Sequence, residues 1–169
     1  MKNSQLLREI EEVEVPELLL AYHGERQTSH MFTRHMHVSL SELKNRLKHI
    51  HVDQDEIVKA SRFLSNDLSE IASLLHTCLD KNYSRIEKWN RSGRIGKLDI
   101  SYIFPSPIGE CIAMNTNWKH TFKESELVIV LGESNLPGRI FQILTAYPEA
   151  TPEEVDLIYD AIDEWFLTK

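Results

Sequence analysis

The sequence predicts an α+β fold, helices first and an antiparallel sheet afterwards. Apolar residues recur at helical spacing as far as Trp89, Ser92-Gly93 breaks that pattern, and from Leu98 onward short alternating or wholly apolar runs are separated by turn residues. The 169 residues suit one domain, with 41% hydrophobic and 27% charged side chains in the ordinary globular range. No internal repeat or linker divides them. The expected layout is a helical extension over residues 1–21, a core over 22–148 and an acidic helix over 149–169.

The first expected helix covers residues 3–13, with Leu6, Leu7, Ile10 and Val13 on one side and a stop near Pro16. Ser39 is the expected N-cap of a helix through Leu40, Leu43 and Leu47, and Glu42 completes a capping box. From about Asn66 to Trp89, the residues Leu68, Ile71, Ala72, Leu75, Leu79, Ile86 and Trp89 trace one face and predict a single long core helix. Strands follow at Leu98 to Phe104, Ile108 to Met114, Leu127 to Leu131 and Arg139 to Tyr147. Leu127 to Leu131 is almost wholly apolar, so it is expected at the centre. Pro105-Ser106-Pro107 supplies one turn and Leu136-Pro137-Gly138 a tight connection. Thr151 is expected to cap a closing helix with Pro152 at its first position and Val155, Ile158, Ile162 and Trp165 inward.

Composition narrows the function. No apolar run approaches the ~20 residues that span a bilayer, and the N-terminus, acidic from Glu9, lacks the pattern of a signal peptide. Cys78 and Cys111, one in a helix and one in a strand, imply no disulfide framework, so a reduced cytoplasmic protein is expected. The net charge of −7 argues against a polyanionic partner, yet its distribution matters. Residues 1–17 hold two basic and five acidic side chains and 149–169 one basic and seven acidic, leaving 18–148 at +2 with all eight histidines. A mildly basic body between acidic ends is compatible with RNA.

Three stretches are hard to explain as packing: His30 to His37 with Arg46 beyond it, Ala60-Ser61-Arg62-Phe63, and Leu144-Thr145-Ala146-Tyr147-Pro148. Together with Ser39, Leu43 to Leu47, Trp89, Val128 to Leu131 and Gly138, these pieces stand in an order that resembles the RNase A-like toxin domains of bacterial contact-dependent inhibition and related polymorphic toxins. The resemblance covers roughly residues 22–148. It implies an RNase A-like fold without disulfides and RNA cleavage, with tRNA a candidate substrate, that needs no metal and no cofactor. By position it makes His35, Arg46, Thr145 and Tyr147 the catalytic set, with His30, Arg34 and Ser61 on the substrate-binding side. It also implies a cognate immunity protein and action in the cytoplasm of a target bacterium. The pattern departs at His37, and at Thr28 and Ser29, where family members carry glycine.

The residues suit this chemistry on their own terms. Attack by a ribose 2′-hydroxyl needs a base, an acid for the leaving 5′-oxygen, and positive charge where the phosphorane becomes negative. His35 can move protons near neutral pH, Arg46 can offer a planar fork to phosphate, and Thr145 and Tyr147, two apart on a strand, share a face. Which of His35 and Tyr147 makes which transfer stays open at this point.

Plainer readings stand beside these. His35 could satisfy a backbone carbonyl, Arg46 could pair with Glu42 at i,i+4, Thr145 and Tyr147 suit any strand, with Pro148 only ending it, and Ser61 and Phe63 could be a turn and a core anchor. The acidic final helix reads as a solvated face, with shielding of a basic cleft or mimicry of RNA as the alternatives. The pairs His35-x-His37 and His49-x-His51 raise a zinc tetrad, and a degenerate RNase-like module that binds RNA or a partner protein without cutting is the remaining rival.

Overall fold

The computed structural model describes residues 1–19, 31–48, 57–114 and 119–167. Helices α1 (Ser4–Glu12) and α2 (Pro16–Leu19), a π-helical turn (Met31–His35) and α3 (Leu40–Lys48) precede β1 (Val58–Phe63). Helices α4 (Leu68–Lys81) and α5 (Tyr83–Arg91) lead to β2 (Leu98–Ile103), β3 (Gly109–Met114), β4 (Lys119–Glu124), β5 (Glu126–Glu133) and β6 (Phe141–Glu149), and α6 (Pro152–Leu167) closes the chain. The strands form two antiparallel sheets in the orders β1-β3-β4 and β2-β5-β6, with apolar β5 central as expected. The α+β architecture expected from the sequence is the one observed, without disulfides, since Cys78 and Cys111 are both free and buried. Among the described residues no helix is long and apolar enough to cross a membrane.

The core lies between helices and the second sheet. Leu127, Ile129 and Leu131 of β5 join Ile71, Leu75 and Leu79 of α4, Ile86 of α5 and Leu6 and Ile10 of α1 in one buried cluster. Each side chain so buried contributes roughly 1.5–3 kcal/mol of transfer free energy. Helix α1 is also held by Glu9, whose buried carboxyl accepts from the Ile140 backbone N–H at 3.0 Å. Burial raises the Glu9 pKa, against the lowering effect of that bond.

Several expectations need correction. The long helix over 66–89 is two helices, divided at Asn82. There the Asn82 side chain donates to the Cys78 carbonyl, four residues back, and to the Ser101 carbonyl of β2, both at 2.9 Å. A side-chain amide that competes for backbone carbonyls interrupts a helix, and only the folded sheet supplies the second acceptor. Pro16 opens α2 rather than simply ending α1. Ser61 is not in a turn but inside β1, so the order is not helices followed by strands. Strand β4 was also not expected, because Lys119 to Lys123 is polar and largely exposed, as suits a charged edge strand. Pro148 does not end β6, which continues to Glu149. An edge strand tolerates the missing N–H.

Three local devices set the geometry of the site. On β1, Arg62 pairs with Glu110 of β3 at 2.7 Å and donates to the Val38 carbonyl at 3.0 Å, while Lys123 of β4 holds the other Glu110 oxygen. This row ties three strands to the segment following His35, and Lys123 and Arg62 hold the Glu110 carboxyl below the ordinary range despite its burial. Gly109 marks the junction of the sheets: a Cβ there would lie 2.1 Å from the Pro148 ring of β6 and 2.6 Å from the Arg62 carbonyl. Finally, the β5–β6 register shifts between Val130↔Thr145 and Leu131↔Ile143, leaving Leu144 as a bulge. Phe141 and Ile143 are buried before it, Ala146 and Pro148 after it. The bulge thereby turns Thr145, Tyr147 and Glu149 out of the helical core.

Helix α6 carries the expected Thr151 cap, in which the Glu154 N–H donates to Thr151 Oγ1 at 3.2 Å and the Thr151 N–H to the Glu154 carboxylate at 3.1 Å. Its Ile158 is fully buried against Ala113 of β3, with Ile57 and Phe122 alongside. Val155 is half-buried. The side chains of Ile162 and Trp165 lie outside the described set.

Candidate active site

β6 of the second sheet contacts β1 and β3 of the first, and a cavity of about 810 Å³ opens where they meet. Its lining includes Arg34, His35, Arg46, Ser61, Thr145 and Tyr147. Residues spread over more than a hundred positions of sequence thus reach one cavity, of the size that holds a small ligand or a nucleotide fragment.

His35 ends the π-helical turn, a rare backbone form that recurs at functional positions. Its Nδ1 is 2.7 Å from the Ser61 carbonyl. A carbonyl only accepts, so Nδ1 carries a proton and Nε2 is the basic nitrogen of the neutral ring. The carbonyl contact expected of an ordinary histidine is therefore present, but here it orients a ring that lines the cavity. Ser61 is nearly fully buried and its Oγ lies 3.4 Å from the same nitrogen.

The ring of Tyr147 stacks on His35, with centroids 5.5 Å apart at 30°. Burial, then the charges of Glu149 and Asp99, pushes the Tyr147 pKa up, so the phenol keeps its proton at neutral pH. Thr145 Oγ1 is buried and has no hydrogen-bond partner among the described residues. Such a hydroxyl in a cavity wall calls for an explanation.

Arg46 comes from the last turn of α3, whose start is fixed by the expected capping box. The Ser39 N–H donates to Glu42 at 2.7 Å and the Glu42 N–H to Ser39 Oγ at 3.1 Å. Glu42 is thus engaged at the cap, where the Arg46 charge also acts on it, and Arg46 Nη1 donates to the Arg34 carbonyl at 2.9 Å, beside His35. Arg34 itself is exposed at the rim. His30 lies outside the described residues, as do His49 and His51 of the zinc alternative. Cys111 also lines the cavity, but burial pushes its thiol up to about 12, which leaves it un-ionised and inert as a nucleophile.

Two cavity residues were missed in the sequence: Lys59 of β1 and Glu149 of β6, 3.3 Å apart. Their alternate spacing from Ser61 and Tyr147 is the signal that could have found them.

The two antiparallel sheets of this α+β domain meet at a cleft lined by an oriented histidine, two guanidinium groups and three side-chain hydroxyls. A family comparison makes this specific. Residues 29–148 match the bacterial CdiA-CT RNAse A domain family, and the chain belongs to that family. It is a toxin domain of the contact-dependent-inhibition type, in the ribonuclease branch. Its fold is similar to that in a crystal structure of a CdiA-CT/CdiI complex from Y. kristensenii, at 23% identity and a TM-score of 0.57. The match covers 72% of this chain and 99% of the other. No curated protein matches.

Proposed function

We propose that the domain is a metal-independent endoribonuclease that cleaves RNA, with tRNA a candidate substrate, through the ribose 2′-hydroxyl. The observation that carries this is the pairing of His35 and Tyr147: one ring has its basic nitrogen selected by the Ser61 carbonyl, and the phenol stacked on it retains its proton. His35 Nε2 takes the 2′-hydroxyl proton as the 2′-oxygen attacks phosphorus. The P–O5′ bond breaks, Tyr147 protonates the departing 5′-oxygen, and a 2′,3′-cyclic phosphate remains. Arg46 faces the phosphorane oxygens, where a charge-assisted fork is strongest. Thr145 donates to the same group.

Ser61 serves through His35, and Arg34, exposed beside the cavity, meets the approaching RNA chain; His30 keeps the substrate-binding role implied by the family resemblance. A 2′-deoxy nucleotide offers no nucleophile, so DNA is left intact. The glycine-to-histidine departure at position 37 does not argue for a degenerate binder, because His37 holds the left-handed backbone, φ 53°, that glycine adopts readily. The similar structure is that of a complex with CdiI, which supports a cognate immunity protein as a partner of this domain.

End-group analysis of the RNA products tests the mechanism. Fragments ending in 2′,3′-cyclic phosphate, with a Tyr147→Phe variant slowed by roughly 10²-fold or more, are expected. Products ending in 3′-hydroxyl would overturn the 2′-oxygen route.

A further inference from the structure

Lys59 has no part in the proposed chemistry, yet its position is regular. On β1 it precedes Ser61 by two residues, and on β6 Glu149 follows Tyr147 by two. Alternate residues share a face, and two residues of strand advance about 6.6 Å. The Lys59–Glu149 pair therefore sits one step along the cleft from the row Ser61, His35 and Tyr147.

The pair is accessible: the side chains are 38% and 31% exposed, and the ammonium lies 3.3 Å from one carboxylate oxygen. An ion pair of this exposure is weak, because water screens both charges. It exchanges one anion for another at little cost. Nor do the strands need this contact at the junction, since Gly109 already brings β3 against Pro148. A flexible ammonium beside a cleft that already holds Arg34 and Arg46 is suited to a phosphate, as a mobile point charge.

We propose that Lys59 binds the backbone phosphate adjacent to the scissile one, and that Glu149 holds the ammonium in the empty cleft until RNA displaces it. This rests on the ribonuclease proposal. Lys59 in this role is a binding residue for a non-reacting phosphate, so its loss falls on KM more than on kcat.

The experiment measures binding of a 2′-O-methyl RNA oligonucleotide, which cannot be cleaved, to the full chain across a series of salt concentrations, beside steady-state cleavage of the unmodified RNA. Lys59→Gln should weaken binding roughly tenfold, reduce the slope of log affinity against log salt by about 0.7, the contribution of one single-strand phosphate contact, and raise KM. Lys59→Arg should restore the slope. Glu149→Gln should tighten binding. A Lys59→Gln protein with a lowered Tm but an unchanged salt slope and KM would overturn the proposal and leave a cross-sheet ion pair. If wild type cleaves no RNA, the ribonuclease proposal fails and this one with it, an outcome distinct from an unchanged slope in an active enzyme.

Discussion

His35 and Tyr147 are constrained from opposite sides, the first by the Ser61 carbonyl and the second by burial that keeps its hydroxyl protonated. His37, two residues on, has a different task. Its φ of 53° lies in the left-handed region, which costs a non-glycine residue about 1–2 kcal/mol, and its N–H is tied to Asn66 Oδ1 at 2.9 Å. His37→Gly should therefore leave stability unchanged or raise it by up to ~1 kcal/mol in denaturant melts, with cleavage retained, since the greater freedom of glycine in the unfolded chain offsets part of the relief. A loss of stability above ~1 kcal/mol would show that the imidazole itself is needed there. The ordered set His35, Arg46, Thr145 and Tyr147 was legible in the sequence because its motifs recur in one order. Lys59 and Glu149 were not, because a lone lysine and a lone glutamate are ordinary surface residues until β1 and β6 meet.

Elements were legible where local signals decide them. The capping box at Ser39, the cap at Thr151, the periodicity of α1 and α4, and the apolar run of β5 each suffice without knowledge of the rest. The break at Asn82, the strands β1 and β4 and the bulge at Leu144 depend on partners distant in sequence, so no local pattern announces them. The packing of α6 on β4 makes a prediction at this scale. Glu124, at the end of β4, is wholly buried, and its carboxyl faces that of Glu154, with which it can share a proton. Burial first, then the carboxyl of Glu154 in the first turn of α6 and the charge of Glu149, with Lys59 opposing, push its pKa to about 9 from an ordinary 4.5. A helix N-terminus favours negative charge by at most ~2 kcal/mol, so burial wins. The folded chain then holds a proton that the unfolded chain releases near pH 4.5, and stability falls as pH rises from there toward 9. Glu124→Gln removes this dependence. Its Tm should exceed that of wild type at about pH 8, by the equivalent of ~1 kcal/mol or more, and the advantage should shrink toward about pH 5. Parallel Tm curves for the two proteins would contradict a protonated Glu124.

Along the chain a mildly basic body lies between acidic ends, and the cleft itself is lined by Arg34, Arg46 and Lys59 against Glu149. The two sheets meet at Gly109 and Pro148, and that contact creates the cavity as well as the fold. The family match stops at residue 148, so α6 lies beyond the matched segment. Its acidic surface argues for binding that is steered by the local charge of the cleft and weakened by salt, not by the net charge of −7. The central claim is cleavage of RNA by side chains alone. Its most direct test is incubation of the purified protein with total bacterial RNA in excess EDTA, beside His35→Ala, read on a denaturing gel. The account predicts fragments from wild type despite the chelator and intact RNA with His35→Ala. RNA left whole by a folded wild-type protein, or cut equally by the His35→Ala variant, would contradict it.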